Sequence, residues 1–341
     1  MIKDRFEIVP TWDMAEEEWV LARMSGFGGS EIGAVAGLSK YESPYSIFQR
    51  KYNNISTFEG NEATEIGHLL EAPVAERYAK VKNVAVVEWP VILRSLKHPF
   101  ISANVDRFVV EPSDVFPIGV VTRWESLDEP EGIIGLLECK TGAIASPGRP
   151  QDWDDGKIPD SYWCQGVWYG GVLDLPWVDY AALIGGKGFV FRRLEIMQED
   201  FQNLVQIGAE FWENHVLSGI APPIDGSGST EESLKALYPT PVPGKVLEAG
   251  DDFAEAWSDF LHKKKVAEVA DEERKAARNL VVSMIGDSEA VNIGGVPACT
   301  FRKSKDSVGI DRDRLRRERP DIYQEYERIS DGARRLIPSK A

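Results

Sequence analysis

The chain has 341 residues, 43% of them hydrophobic, enough for one large domain with its own core plus an extension of about a third of its length, which excludes a disordered protein. Its formal charge of −16 argues against a protein that coats nucleic acid by bulk electrostatics, because such binding comes from lysine and arginine neutralising phosphates. An acidic nucleic-acid enzyme instead keeps part of its acid excess in a metal site and on solvated faces and gathers its basic groups along one groove.

No run approaches the ~18 to 20 uninterrupted apolar residues of a membrane span, and MIKDRFEIVP lacks the basic-then-apolar layout of a secretory signal, so a cytoplasmic protein without membrane contact is expected. Cys139, Cys164 and Cys299 form no CxxC pair and read as reduced, packed thiols.

Residues 14–23 are rich in helix formers and run into the glycine cluster SGFGGSEIGAVAG, a loop leading into a short helix that begins near Ser30. Ser43 as cap and Pro44 at the first position open a helix over 43–52. A longer helix over 62–81 carries Ile66, Leu69, Leu70, Val74 and Tyr78 at helical spacing, with Pro73 as a bend or break. From Val84 the period changes, and VAVVEWPVIL, FISANVDRFVV and GIIGLLECKTG predict strands. A helix over 160–173, two strands in WVDYAALIGG and GFVFRRLEI joined by a glycine-rich turn, and a helix over 199–217 complete an α/β core. APPIDGSGST marks the boundary, giving a core at 1–222 and a mostly helical extension at 223–341. That extension holds a long charged helix over 251–284, a hairpin through VNIGGVPACTF and the basic segment DRDRLRRERP.

The chemistry points to Leu136-Leu137-Glu138-Cys139-Lys140. Side chains alternate across a strand, so Glu138 and Lys140 share one face while Cys139 takes the other. A charged pair at the end of an apolar strand is costly unless used or paired. Asp106, ending the strand candidate SANVD, would sit beside Glu138 if the two strands are neighbours, and two such carboxylates suit Mg²⁺ or Mn²⁺. A metal there polarises a phosphodiester and lowers the pKa of a bound water, and the lysine orients that water or neutralises charge on the phosphate. The alternative for an ExK tripeptide is a surface pair on an edge strand. In the following helix Tyr162, Gln165 and Tyr169 share a face; an amide on an aromatic face needs partners, whereas Trp163 and Trp168 read as core.

In order along the first two thirds of the chain, GGSEIGAVAGLSKY, GHLLEAPVAERY, ANVDRFV, LLECKTG and PDSYWCQGVWY resemble the phage-type alkaline exonucleases, or YqaJ-like viral recombinases, of the PD-(D/E)xK nuclease superfamily. The resemblance implies a restriction-endonuclease-like α/β fold whose central mixed β-sheet is flanked by helices. It implies Asp106, Glu138 and the Cys139 carbonyl as metal ligands, Lys140 as the catalytic lysine, and Gln165 with Tyr169 as the QxxxY element of the RecB-like branch. It also implies that Glu71 reaches the metal. Glu62, Glu65 and Glu76 on the same segment have the ordinary role of a solvated face, whereas Glu71 lies among Leu69, Leu70 and Val74 and is expected to point inward. Arg23 and Ser30 look like the pair that family members use to grip a 5′-phosphate, with Tyr162 as a further phosphate donor; the alternatives are a surface arginine and a plain helix cap.

The activity so implied is 5′-to-3′ digestion of one strand of linear duplex DNA with one or two Mg²⁺ ions, or Mn²⁺ in their place, leaving 3′ tails for homologous recombination. The implied assembly is a homo-oligomeric ring working beside a single-strand annealing protein. Three readings stay open beside it: an endonuclease, a Cas4-like nuclease, whose cysteine cluster this chain lacks, and a DNA-end-binding protein that no longer cuts. Arg107 departs from the glycine that many relatives carry after the aspartate. The connection over 145–157 either touches DNA or is solvated. Lys263, Lys264 and Lys265 and the run over 312–319 bind DNA or a partner, or form a charged face toward water.

Overall fold

The computed structural model describes residues 2–55, 60, 62–142, 153, 156–185, 188–329, 332 and 334–338. They fall into two compact units, Met1–Pro239 and Thr240–Ala341. The first runs past the expected boundary at 222, because the helix Gly228–Leu237 belongs to it: Thr230 Oγ1 lies 2.8 Å from Ser43 Oγ, both residues buried.

In chain order the first unit comprises β1 (Phe6–Pro10), α1 (Glu16–Ala22), α2 (Gly29–Val35), α3 (Pro44–Asn53), α4 (Glu62–Lys82), β2 (Ala85–Glu88), β3 (Val91–Ser95), β4 (Ser102–Ala103), β5 (Arg107–Val110), β6 (Val121–Arg123), β7 (Ile133–Gly142), α5 (Asp160–Leu173), β8 (Trp177–Ile184), β9 (Gly188–Glu195), α6 (Gln198–Phe211) and α7 (Gly228–Leu237). The helix expected over 199–217 is α6 continued by a π-helical stretch, Trp212–Leu217.

Among the described residues the main sheet has six strands in the order β6-β2-β5-β7-β8-β9, and β1-β3-β4 form a second, antiparallel sheet. The main sheet is mixed: β2 with β6 and β7 with β8 run parallel, the other neighbours antiparallel. Alternation along β7 divides the core. Leu136 packs into the cluster containing Ile32, Cys164 and Trp168 from α2 and α5, while Leu137 and Cys139 pack with Val74, Ala75 and Tyr78 of α4. The first unit is thus an α/β sandwich with helices on both faces of a mixed sheet.

Several elements differ from their expected form. VAVVEWPVIL divides into β2 and β3, which enter different sheets, since Pro90 cannot donate to a ladder. The strand near Asp106 begins one residue after it, at Arg107, so Asp106 precedes β5 rather than ending a strand. α4 runs unbroken through Pro73; the carbonyl left without its donor belongs to Leu69, a residue exposed to solvent. Its apolar face serves the core only from Val74 onward, for Ile66 and Leu69 are exposed. The strands β1 and β6 were not anticipated.

The second unit holds α8 (Asp251–Ile285), the hairpin of β10 (Ala290–Ile293) with β11 (Val296–Thr300), α9 (Arg312–Glu318) and α10 (Pro320–Glu325). Several of its lysines and arginines pair along their own helices, as in Lys263 with Asp259, Lys275 with Asp271 and Arg314 with Glu318, and all six side chains are exposed. No described helix is long and apolar enough to cross a membrane.

Candidate active site

β5 pairs antiparallel with β7 so that Arg107 faces Leu137, and continuing that register sets Asp106 opposite Glu138. The Cys139 backbone N–H donates to Asp106 Oδ2 at 2.8 Å, which seats the carboxylate at the strand end. Lys140 Nζ is 2.8 Å from Glu138 Oε2 and 4.0 Å from Asp106 Oδ2. From α5, Gln165 Nε2 donates to the same Glu138 oxygen at 2.6 Å. The three residues expected to converge therefore do so.

Glu138 is fully buried, and its Oε1 finds no hydrogen-bond partner among the described residues. Burial pushes its carboxyl up to about 8, and the Asp106 charge adds to that push while Lys140 opposes it. Burial alone would lower the Lys140 ammonium, but Glu138 and Asp106 outweigh it and hold the group well above the ordinary lysine range. Lys140 is therefore a fixed cation. Glu71 is also raised, by burial and then by Asp106, so it shares the field of the site, and its Oε1 accepts from Arg107 Nη1 at 2.6 Å. The Cys139 thiol is raised well above its ordinary value by burial and lies in the α4 core, so the side chain itself faces away from the site.

Among the described residues no three His, Cys, Asp or Glu side chains stand together as a metal-holding group. The donors present nonetheless fit Mg²⁺, which binds through one or two carboxylates and keeps several waters. Asp106 and Glu138 supply that pair, and Glu138 Oε1 is a buried acceptor whose desolvation nothing among the described residues offsets.

A second group of side chains surrounds the turn into α2. Arg23 Nη2 donates to Ser30 Oγ at 3.1 Å, and the guanidinium lies 4.5 Å from the Trp19 ring centroid. α2 starts at Gly29 behind Gly28 as cap, so Ser30 lies within the first turn and is not the cap. A Cβ on Gly28 would be 3.7 Å from both Arg23 Nη2 and Tyr169 Oη, so the tyrosine joins this group to the Glu138 site. Burial and then Glu138 raise the Tyr169 phenol, which stays a donor. Tyr162 lies two turns, about 10 Å, from Tyr169 along α5, and its ring centroid is 5.1 Å from Lys140 Nζ. Of the connection over 145–157, only Trp153 and residues 156–157 belong to the described residues.

Sequence reasoning missed the residues that hold this loop. Glu31 is buried, accepts from the Gly28 N–H at 3.0 Å, and pairs with Lys51 at 2.9 Å and Arg50 at 3.1 Å. Lys51 Nζ also donates to the carbonyls of Arg23 at 2.8 Å and Gly26 at 2.6 Å. The glutamate three residues after a cap glycine was the available signal for Glu31; nothing local marked Lys51.

A family model for the YqaJ-like viral recombinase domain matches residues 18–172, a span that contains every candidate residue named above. The uncharacterized protein YqaJ of Bacillus subtilis (strain 168) is 30% identical over 319 residues, covering 93% of this chain and 92% of that protein. Among solved structures, an alkaline exonuclease (LHK-Exo) from Laribacter hongkongensis is 17% identical and matches 58% of this chain and 91% of its own with a TM-score of 0.42. The same enzyme in complex with dAMP gives 0.43.

Proposed function

The chain belongs to the YqaJ-like viral recombinase family, and on that premise we propose that it is a metal-dependent exonuclease acting on the ends of duplex DNA. The observation that carries this reading is Glu138: a fully buried carboxylate with one oxygen held by Lys140 and Gln165, the other orphaned, and Asp106 beside it. Asp106, Glu138 and the Cys139 carbonyl would hold a divalent cation, Mg²⁺ or Mn²⁺. When bound, such an ion lowers the pKa of a water and polarises the phosphodiester.

The protein's own groups do the rest. The Lys140 ammonium orients the attacking water and offsets charge on the phosphate oxygens as the phosphodiester is cleaved. Gln165 holds the Glu138 rotamer, and Tyr169, kept as a phenol, donates to a phosphate oxygen. Tyr162 flanks Lys140 and donates to a phosphate there. Arg23 and Ser30 grip a terminal 5′-phosphate through charge-assisted hydrogen bonds, which directs cleavage 5′ to 3′ and leaves 3′ single-stranded tails for recombination. Family membership supports a partnership with a single-strand annealing protein and a homo-oligomeric ring.

The test is digestion of linear duplexes bearing 5′-phosphate or 5′-hydroxyl ends in Mg²⁺. The wild type is expected to prefer the phosphorylated end, and Lys140→Ala to lose activity by on the order of 10² or more. Closed circular DNA should stay intact; nicked circles would make the enzyme an endonuclease. No release of nucleotides at any Mg²⁺ concentration would leave a DNA-end-binding protein.

A further inference from the structure

Glu71 on α4 meets the strand-end pair through one guanidinium, since Arg107 binds both the Glu71 carboxylate and the Asp106 carbonyl, and the three carboxylates feel one another: Asp106 raises both Glu71 and Glu138, and Glu71 itself raises Glu138. Lys140 serves Glu138 and Asp106. Glu71 is served by Arg107, whose side chain is 7% exposed and is wedged among acceptors. Its Nη1 donates to Glu71 Oε1 at 2.6 Å and to the Asp106 carbonyl at 2.5 Å, and its Nη2 is 3.3 Å from Glu88 Oε2. Glu88 has a second cation of its own, since Arg123 binds its other oxygen. Arg107 is therefore not needed to neutralise Glu88 and is committed to the Glu71–Asp106 side of the cluster.

We propose that the Arg107 guanidinium takes the place of a second divalent cation, so that this site binds one ion and Glu71 is a partner of Arg107 rather than a metal ligand. Paired-metal hydrolytic sites hold their ions roughly 3.5–4 Å apart, and each ion needs carboxylate ligands. Asp106 could bridge two ions, but the second would need a further carboxylate; that is Glu71, and its Oε1 is already bonded to a cation that cannot lose its proton. Charge leads to the same count. With the carboxyls deprotonated around a bound ion, three carboxylates face two fixed cations, Lys140 and Arg107, so one dication turns a deficit of a single positive charge into an excess of one. A second dication would leave three excess positive charges in a largely buried site.

This inference rests on the divalent-cation reading above, and the experiment separates the two. Mn²⁺ is titrated into the full-length chain, and bound ions are counted by calorimetry and by the loss of the free-ion resonance signal. The wild type is expected to bind one ion, Arg107→Gln two, and the double variant Arg107→Gln with Glu71→Gln one again. Glu71→Gln alone should keep one ion with affinity within about 2-fold of wild type, whereas loss of a metal ligand would weaken it by ~10-fold or more. Two ions on the wild type, one ion on an Arg107→Gln chain with wild-type circular dichroism, two on the double variant, or a Glu71→Gln affinity loss of that size would each overturn the proposal. If Arg107→Gln does not fold, the wild-type count and the Glu71→Gln affinity decide it. Binding of no ion at all would instead defeat the metal-dependent reading itself.

Discussion

Glu31 links stability to the loop that carries Arg23. Burial by itself would raise its carboxyl, but Lys51, Arg50 and Arg23 outweigh that and bring it down to about 2. A depressed folded value means that its stabilisation is fully present above the unfolded value near 4.5 and is lost as pH falls toward 2. Glu31→Gln is therefore expected to cost about 3 kcal/mol at pH 7, where it strands the buried Lys51. Much of that difference should disappear by pH 2, where the wild-type carboxyl is itself about half protonated. Urea unfolding midpoints of both chains across that range measure it, and an equal gap at both ends of the range would disprove the coupling. The same substitution should blur discrimination between 5′-phosphate and 5′-hydroxyl ends, since Lys51 also ties down the Arg23 and Gly26 carbonyls.

Among elements, the contact of α2 with α5 governs how well Gln165 and Tyr169 are placed. Gly29 makes it possible, because a Cβ there would stand 2.8 Å from the Tyr169 ring and 3.0 Å from Gln165 Cγ. Gly29→Ala is expected to lower the turnover of linear duplex by on the order of 10-fold or more through that displacement, and to cost about 1–3 kcal/mol of stability. Gly33→Ala meets Ser161 and Cys164 instead, at 3.2 Å or beyond, and should lose some stability with a far smaller loss of turnover. Measuring turnover and melting on both variants separates misplacement from unfolding. Helices with a strong period or cap, such as α3 behind Ser43 and α5, were readable from the chain alone. β1 and β6 were not, because strands of five and three residues carry too short a pattern to stand out from loops. The apolar spacing of α4 misled for Ile66 and Leu69, since periodicity tells which side is apolar and not how far along the helix a sheet extends beneath it.

For the whole molecule, the division into two compact units places every candidate active-site residue in the first. A chain of residues 1–239 is expected to fold cooperatively, bind Mn²⁺ with the stoichiometry of the full protein, and melt within about 3 °C of its first unit's transition, a shift worth roughly 1 kcal/mol for a domain of this size. Calorimetry of the two chains checks it; failure of the shorter chain to fold would show that the units are not independent. Exposed intrahelical ion pairs on α8 and α9 contribute little to stability, and they account for charged runs in the second unit without assigning them a ligand.

The amino-acid sequence by itself determined the alternation that gives Glu138 and Lys140 one face of β7 and Cys139 the other, the helix that carries Gln165 and Tyr169, and the family likeness. These follow from patterns within a few residues of chain. Only the tertiary structure decided that Asp106 stands opposite Glu138, that Arg107 neutralises Glu71, and that Lys51 closes on Glu31. Strand register and the choice of which cation meets which carboxylate arise where distant segments approach one another in space, and the burial that makes those pairings consequential exists only once the sheet and its helices have packed.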